Sequence, residues 1–241
     1  MKISIVIPAF NEALLLGATL ETVRRAIRAF DAFGWTSELI VCDNNSTDTT
    51  AEIARAHGAT VVFEPVNQIA RARNTGAAAA TGDWLIFVDA DSHPTFELFS
   101  DVADQIKTGV CLAGGTTIRM SERFFVADML TGLWNFSSRI GRWLAGAFIF
   151  VETAVFRQIG GFSLKLFAGE ELDLCLRLKA VAKVSKRKIV VLHRHPLVTS
   201  ARKMRLYTPQ EHFRFIFRTL LNRRRMLGSS KEAHIWYDGR R

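Results

Sequence analysis

The stretch Trp84-Leu85-Ile86-Phe87-Val88-Asp89-Ala90-Asp91 (W-L-I-F-V-D-A-D) decides the fold. Five apolar residues in a row fit a strand buried on both faces, and the run ends abruptly on two carboxylates one residue apart. The same grammar appears upstream. Lys2–Pro8 (K-I-S-I-V-I-P) is a short β-branched run closed by proline and followed by Ala9, Phe10, Asn11 and Glu12. Glu38–Cys42 reads as a second strand running into Asp43-Asn44-Asn45-Ser46-Thr47-Asp48, and Thr60–Phe63 as a third. Between them the spacing predicts helices. One opens at Asn11-Glu12 with Leu15, Leu16, Leu20, Val23 and Ile27 on one face; another covers Thr49–His57, with Ser46 or Thr47 placed to cap it; a third covers Ile69–Ala80 and closes on Thr81-Gly82. Strands alternating with helices predict a doubly wound, mostly parallel α/β sheet, whose ligands bind at the carboxyl ends of the strands. The polar clusters after Ile7, Cys42 and Val88 all fall on that edge.

Beyond residue 110 the pattern loosens. Val110–Ile118, Ala147–Val151 and Lys188–His193 read as strands, Glu171–Ala180 as a helix, and Pro209–Leu227 as a long basic helix. The region from Met120 to Phe150 is rich in aromatics (Phe124, Phe125, Trp134, Phe136, Trp143) among small residues. No internal repeat or Pro/Gly/Ser-rich linker divides the chain. The expected organisation is one domain over 1–205, with residues 1–118 carrying the polar strand-end clusters and 119–205 building the rest of the site, followed by a basic amphipathic segment over 206–241.

Composition excludes several classes. The 241 residues are 49% hydrophobic and 23% charged, with 3 cysteines; mean hydropathy is +0.11. That is a folded domain with a sizeable core, not a disordered or collagenous chain. Three widely spaced cysteines (Cys42, Cys111, Cys175) match neither a disulfide framework nor a zinc site, and point to reduced thiols. Ile3–Phe10 is too short and too soon polar for a secretory signal, and Leu144–Phe156 is broken by Glu152, so neither a leader nor a membrane span is expected. The charge is uneven: residues 1–176 carry 14 basic and 20 acidic side chains, residues 177–241 carry 18 and 3. A basic end of this kind suits an anionic partner. Its stripe of Phe213, Ile216, Phe217, Leu220, Leu221 and Leu227 beside Arg223–Arg225 fits an interfacial helix on an anionic leaflet, or equally one docked on the domain. Nucleic acid is disfavoured, because the aromatics there follow an apolar helical face and form no stacking platform. The expected location is cytoplasmic, peripheral on the inner face of the membrane if the stripe meets lipid.

Four groups of residues carry chemistry. Asp89 and Asp91 suit a hard divalent cation that also grips a diphosphate. Asp43 either accepts a hydrogen bond from a base N–H or closes an Asx-turn. Arg73, in A-R-N-T-G-A-A-A-A-T-G, either reaches a phosphate or is an ordinary solvated arginine. Gly169-Glu170-Glu171-Leu172-Asp173 sets three carboxylates in a first helical turn, where one turned into a cleft could act as a general base.

Taken in order, S-I-V-I-P-A-F-N-E, V-C-D-N-N-S-T-D-T-T, A-R-N-T-G-A-A-A-A-T-G-D-W-L-I-F-V-D-A-D, G-G-F and G-E-E-L-D-L-C-L-R-L resemble the family-2 inverting glycosyltransferases of GT-A fold over roughly residues 3–205. The resemblance implies that Pro8, Ala9, Phe10, Glu12 and Asp43 hold the base and ribose of a nucleotide sugar, with Arg73 nearby. It implies that Asp89, Ala90 and Asp91 form the family's D-x-D, Asp91 binding Mg²⁺ or Mn²⁺ directly, and that Gly160-Gly161-Phe162 leads to the catalytic loop. Where the family has Glu-Asp this chain has Glu170-Glu171, which makes Glu171 the catalytic base with one methylene more of reach. Glu170, Asp173, Trp134 and Trp143 are then candidates for the acceptor side, His195 (rather than His193) for the metal shell, and Arg202 for the departing diphosphate. The implied reaction is metal-dependent, inverting transfer from a UDP-sugar, or a GDP-sugar, to a hydroxyl or phosphate acceptor, lipid-linked or part of an envelope glycan. Nucleotidyl transfer is the enzymatic rival, disfavoured by P-A-F-N-E where a glycine-rich phosphate loop would stand; a non-catalytic nucleotide-sugar or nucleic-acid binding module is the other.

Overall fold

The structure, a computed structural model, describes residues 1–202. The stretch expected as a helix over Pro209–Leu227, with the rest of 206–241, lies outside the described residues. One eight-stranded sheet runs in the order β3-β2-β1-β4-β7-β6-β8-β5. Its strands are β1 (Lys2–Ala9), β2 (Thr36–Asp43), β3 (Thr60–Phe63), β4 (Trp84–Val88), β5 (Ser92–His93), β6 (Cys111–Met120), β7 (Phe148–Glu152) and β8 (Lys188–Thr199). β1 to β4 are mutually parallel and β6 is parallel to β8; β7 and the two-residue β5 run against their neighbours. The sheet is therefore mostly parallel, as expected.

Strand periodicity explains the layers. Ile3, Ile5 and Ile7 of β1 face one core and Val6 the other, while Trp84, Ile86 and Val88 of β4 alternate with Leu85 and Phe87. The first core is covered by α1 (Leu16–Ala26), its 3₁₀ continuation Ile27–Phe33 and α4 (Phe96–Lys107), with α2 (Thr50–Ala56) beside α1. The second lies under α3 (Ile69–Ala79), α6 (Thr153–Gln158) and α7 (Glu170–Ser185). The remaining helix, α5 (Phe125–Gly141), packs on β6 and β8. Among the described residues no helix is long and apolar enough to cross a membrane. The three cysteines are free and buried, and burial pushes the Cys42 and Cys111 thiols up to about 12.

Several expectations are corrected. α1 starts at Leu16, not at Asn11-Glu12, because Asn11 adopts φ +51° and its neighbours are tied to the loop after β2. Ser46 and Thr47 do not cap α2: Asp48 accepts the Thr50 N–H, while the Ser46 hydroxyl accepts the Asn11 N–H. β8 continues through Pro196 to Thr199. Pairing passes from Thr116↔Leu192 to Ile118↔Leu197, so the intervening residues bulge away from β6 where a missing proline N–H is tolerated. α4, α5 and α6 were not anticipated from the sequence pattern.

Gly82 sits where β1 and β4 close up. A Cβ there would lie 2.7 Å from Ser4 N and 2.8 Å from Lys2 O, both backbone atoms that cannot swing aside. Gly82→Ala is expected to destabilise the fold by about 1–3 kcal/mol. Gly132, within α5 and with open space around it, is the control: Gly132→Ala should stabilise by about 0.5–1 kcal/mol through helix propensity. Urea unfolding of both variants checks the contrast.

Candidate active site

The floor of the site is the zipped pair of loops after β1 and β2. Ala9 and Asp43 are paired in register at the strand ends, and the Asn44 N–H donates to the Ala9 carbonyl. Beyond them Asn11 N donates to Ser46 Oγ, Glu12 N to Thr50 Oγ1, Ala13 N to Asp48 Oδ2, and Thr47 N to Asn11 Oδ1. Both loops turn on an asparagine with positive φ, Asn11 and Asn45, a conformation asparagine tolerates better than most residues. Asp43 is buried and its Oδ1 accepts the Ser46 N–H at 3.0 Å, so the Asx-turn reading holds for that oxygen. Pro8 pairs with Cys42, and the Ala90 carbonyl accepts the Thr19 hydroxyl.

The wall is organised by one helix. Arg73, on α3, is 2% exposed. Its Nη1 donates to Glu170 Oε1 at 2.7 Å, and its Nη2 donates at 2.9 Å both to Asp89 Oδ1 and to the Gly146 carbonyl. Burial works against the charged guanidinium, but Asp89, Glu170 and Glu171 outweigh it and raise its pKa further. Arg73 is thus neither solvated nor reaching outward: it ties the D-x-D strand end to the start of α7. Asn74 beside it makes two bonds to the Phe162 backbone, Nδ2 to O and Oδ1 from N, each 2.9 Å. That clasps the Gly160-Gly161-Phe162 turn. A Cβ on Gly161 (φ +68°) would come within 2.6 Å of Asn74 Oδ1, so the turn admits only glycine there.

Glu171 stands beside this cluster, its Cδ and Cγ within 3.6 and 3.7 Å of the position a Cβ on Gly146 would take. Burial, then the neighbouring Glu170 charge, push its carboxyl up to about 8. Adjacent glutamates are so sorted into two states: Glu170 is ion-paired, and Glu171 holds its proton unusually long. Opposite, Arg202 Nη2 donates to Glu12 Oε1 at 2.8 Å and lies 4.0 Å from Asp91 Oδ2. Its Nε and Nη1 are buried without a hydrogen-bond partner among the described residues.

Other candidates fall elsewhere. His195 Nδ1 lies 2.9 Å from Asp101 Oδ2 of α4, because the bulged part of β8 turns it toward that helix; it does not join Asp89 and Asp91. Among the described residues no three His, Cys, Asp or Glu side chains gather as a metal cluster. Asp173 is held by Arg177 one turn along α7, at 2.7 Å. Trp134 and Trp143 line an apolar cavity of about 500 Å³ with Leu130, Leu133, Ser137 and Leu172, the residue after Glu171. The Lys179 ammonium sits 3.3 Å above the Trp143 ring. Asn44, Gln68 and Asn74 were missed by sequence reasoning. Asn44 joins the carbonyls of Glu64 and Val66 to the Gln68 N–H, and Gln68 Nε2 holds the Leu164 and Leu166 carbonyls.

Carboxylates and arginines gathered at the carboxyl ends of a doubly wound sheet define a nucleotide-handling α/β architecture. The family follows directly: residues 4–156 match the profile of Glycosyl transferase family 2, and the chain belongs to that family. An uncharacterized glycosyltransferase of Mycobacterium tuberculosis is 32% identical over 139 residues, 58% of this chain and 55% of that protein. Validoxylamine A glucosyltransferase of Streptomyces hygroscopicus is 38% identical over 93 residues, 36% and 21% of the respective chains. The chain thus spans about half the length of the first of these relatives or less. The GT-A fold is seen in solved structures. TarS 1-349 of S. aureus in complex with UDP-GlcNAc superposes with TM-score 0.66 at 21% identity, covering 98% of this chain and 69% of that one. PcManGT of Pyrobaculum calidifontis, with GDP-Man and Mn²⁺, gives 0.66 at 19%, covering 93% and 60%. Glucosyl-3-phosphoglycerate synthase of M. tuberculosis, with Mn²⁺, UDP and glucosyl-3-phosphoglycerate, gives 0.65 at 20%, covering 92% and 79%.

Two outcomes test this geometry. Arg73→Met strands Glu170 in a buried position, at an expected cost of about 3–5 kcal/mol, and adding Glu170→Gln should recover part of it. For Glu171, the folded chain keeps a proton that the unfolded chain releases near 4.5, so stability should fall as pH rises from there toward 8. In Glu171→Gln that decline should shrink, read as a smaller loss of thermal midpoint between pH 5 and pH 8.

Proposed function

We propose that this chain transfers a sugar from a nucleoside diphosphate sugar, a UDP-sugar in preference to a GDP-sugar, to an acceptor hydroxyl with inversion at the anomeric carbon. The observation that carries the proposal is the Arg73 clamp, which brings the D-x-D strand end and the Glu170-Glu171 turn onto one wall. The loops bearing Pro8, Ala9, Phe10, Glu12 and Asp43 receive the base and ribose. Arg202, whose Nε and Nη1 are buried without a partner among the described residues while Nη2 holds Glu12, receives phosphate oxygens. Glu171 accepts the proton from the acceptor hydroxyl, whose oxygen bonds to the anomeric carbon as the bond to the diphosphate breaks.

The donor set at Asp91 and Asp89 is two hard carboxylates. That fits a small divalent cation, which takes one or two protein carboxylates and fills its shell with phosphate oxygens and water. A third protein ligand is therefore not required, and Asp91 with Asp89 would hold Mg²⁺ or Mn²⁺. Such an ion, when bound, neutralises charge on the departing diphosphate. Asp89 reaches this position with one oxygen already committed to Arg73, which leaves Asp91 as the principal ligand. On the acceptor side, Trp134 and Trp143 supply the apolar walls of the cavity that reaches Leu172, the residue after Glu171.

Two measurements test the reading. A thermal-shift panel of UDP, GDP and their sugars with Mg²⁺ or Mn²⁺ should give its largest shift with a uridine ligand and metal. At 100 times the dissociation constant the stabilisation is about 2.7 kcal/mol; no shift with any nucleotide overturns the donor assignment. The transfer rate should climb about tenfold per pH unit and level off above the Glu171 inflection, because only the ionised carboxylate accepts a proton. Glu171→Gln should lose about 10²–10⁴-fold in rate while keeping the nucleotide shift. Parental turnover in that variant would end the base assignment.

A further inference from the structure

α5 is amphipathic in the wrong sense for a helix that covers a core. Apart from the half-buried Trp134 its inward residues are small or polar: Ala127 and Ser138 are buried, and Asn135 bonds to both the N–H and the carbonyl of Ile118 on β6. Its outward residues are large and apolar. Phe125, Met129, Leu133, Phe136 and Ile140 recur at steps of four, four, three and four, forming one stripe 58% to 85% exposed. At 100° per residue these five fall within an arc of about 80°, centred opposite the side occupied by Ala127 and Ser138. A stripe this long, more than four turns of helix, is not scattered surface hydrophobicity.

We propose that α5 is an interfacial helix that seats this face of the domain on an anionic lipid surface. The rim supplies the charge. Arg123 precedes the helix, Arg139 flanks the stripe and Arg142 follows at the C-cap, all three exposed, against the two acidic residues of this stretch, Glu122 and Asp128. Arginines bordering an apolar stripe are what headgroup phosphates and acyl chains together select. The stripe meets the apolar cavity at Leu133, which belongs to both, and that cavity's lining reaches Leu172, the residue after Glu171. On the function proposed above, the seated face borders the acceptor side. The inference concerns binding alone and stands whether or not the proposed sugar transfer holds.

Co-sedimentation of the full chain with phosphatidylcholine vesicles, with and without phosphatidylglycerol, tests it. Binding should require the anionic lipid. Met129→Ser, Phe136→Ser and Ile140→Ser combined should weaken it roughly tenfold or more, with the thermal midpoint and the nucleotide-induced shift retained. A second readout avoids any folding artefact. Because all native cysteines are buried, Phe136→Cys can be labelled selectively with a polarity-sensitive fluorophore, whose emission should shift to the blue only with anionic vesicles. Three results overturn the proposal: unchanged sedimentation of the triple variant; an emission already blue in the lipid-free monomer, meaning the chain covers its own stripe; or a lipid-free dimer that the triple variant dissolves, meaning a second copy does.

Discussion

A single buried cation organises this molecule. Arg73 has lost its water almost completely, a situation tolerable only with close partners of opposite charge. It finds them in Asp89, at the end of a central strand, and Glu170, at the start of α7, elements separated by some eighty residues of chain. Once Glu170 is spoken for, Glu171 must carry its charge half-buried and close to an existing carboxylate, so its proton is held tightly. Two chemically identical neighbours acquire different characters from one guanidinium. The mirrored contact of Asn74 with the Phe162 backbone holds the loop that feeds α7, so consecutive residues of α3 set both the charge and the position of that helix start.

The opposite loops are fixed by a different device. Side-chain oxygens of Asn11, Ser46, Asp48 and Thr50 satisfy backbone N–H groups across the β1–β2 gap, leaving little freedom to lose when a ligand arrives. Asn44 and Gln68 extend the network to the carbonyls of Leu164 and Leu166, thereby linking the loop after β2 to the approach to α7. Floor and wall are one hydrogen-bonded structure. Asn44, Thr50 and Gln68 are its buried members, and each would be costly if left unpaired.

What was legible in the sequence follows from what is local. β3 and β4 are read to the residue, and α3 to within one, because a short apolar run with a polar stop, or a run of helix formers closed by Thr81-Gly82, is written into each stretch. Arg73 shows the limit: its place on a helix of small residues was visible, its partners across the chain were not. His195 fails for a related reason, since a bulge created by pairing with β6 decides which way it faces. α4 had a readable signal that was passed over, Thr95 accepting the Leu98 N–H as an N-cap ahead of Glu97. α5 was hidden by its own pattern. A search for apolar residues facing a core finds little there beyond Ala127 and the half-buried Trp134, because most of the large side chains point the other way.

That inversion bears on how the site is divided. The wall around Arg73 and Arg202 is lined by carboxylates, amides and arginines. The cavity from Leu172 through Trp143 and Trp134 to Leu133 offers little beyond Ser137 to hydrogen-bond. A polar molecule bound only there would give up its water for few partners, which is unfavourable. On the proposed function, apolar contact on that side holds part of the acceptor, and its reacting hydroxyl meets Glu171 at the polar boundary. The burden of orientation then rests on α7, whose first turn Arg73 holds in place.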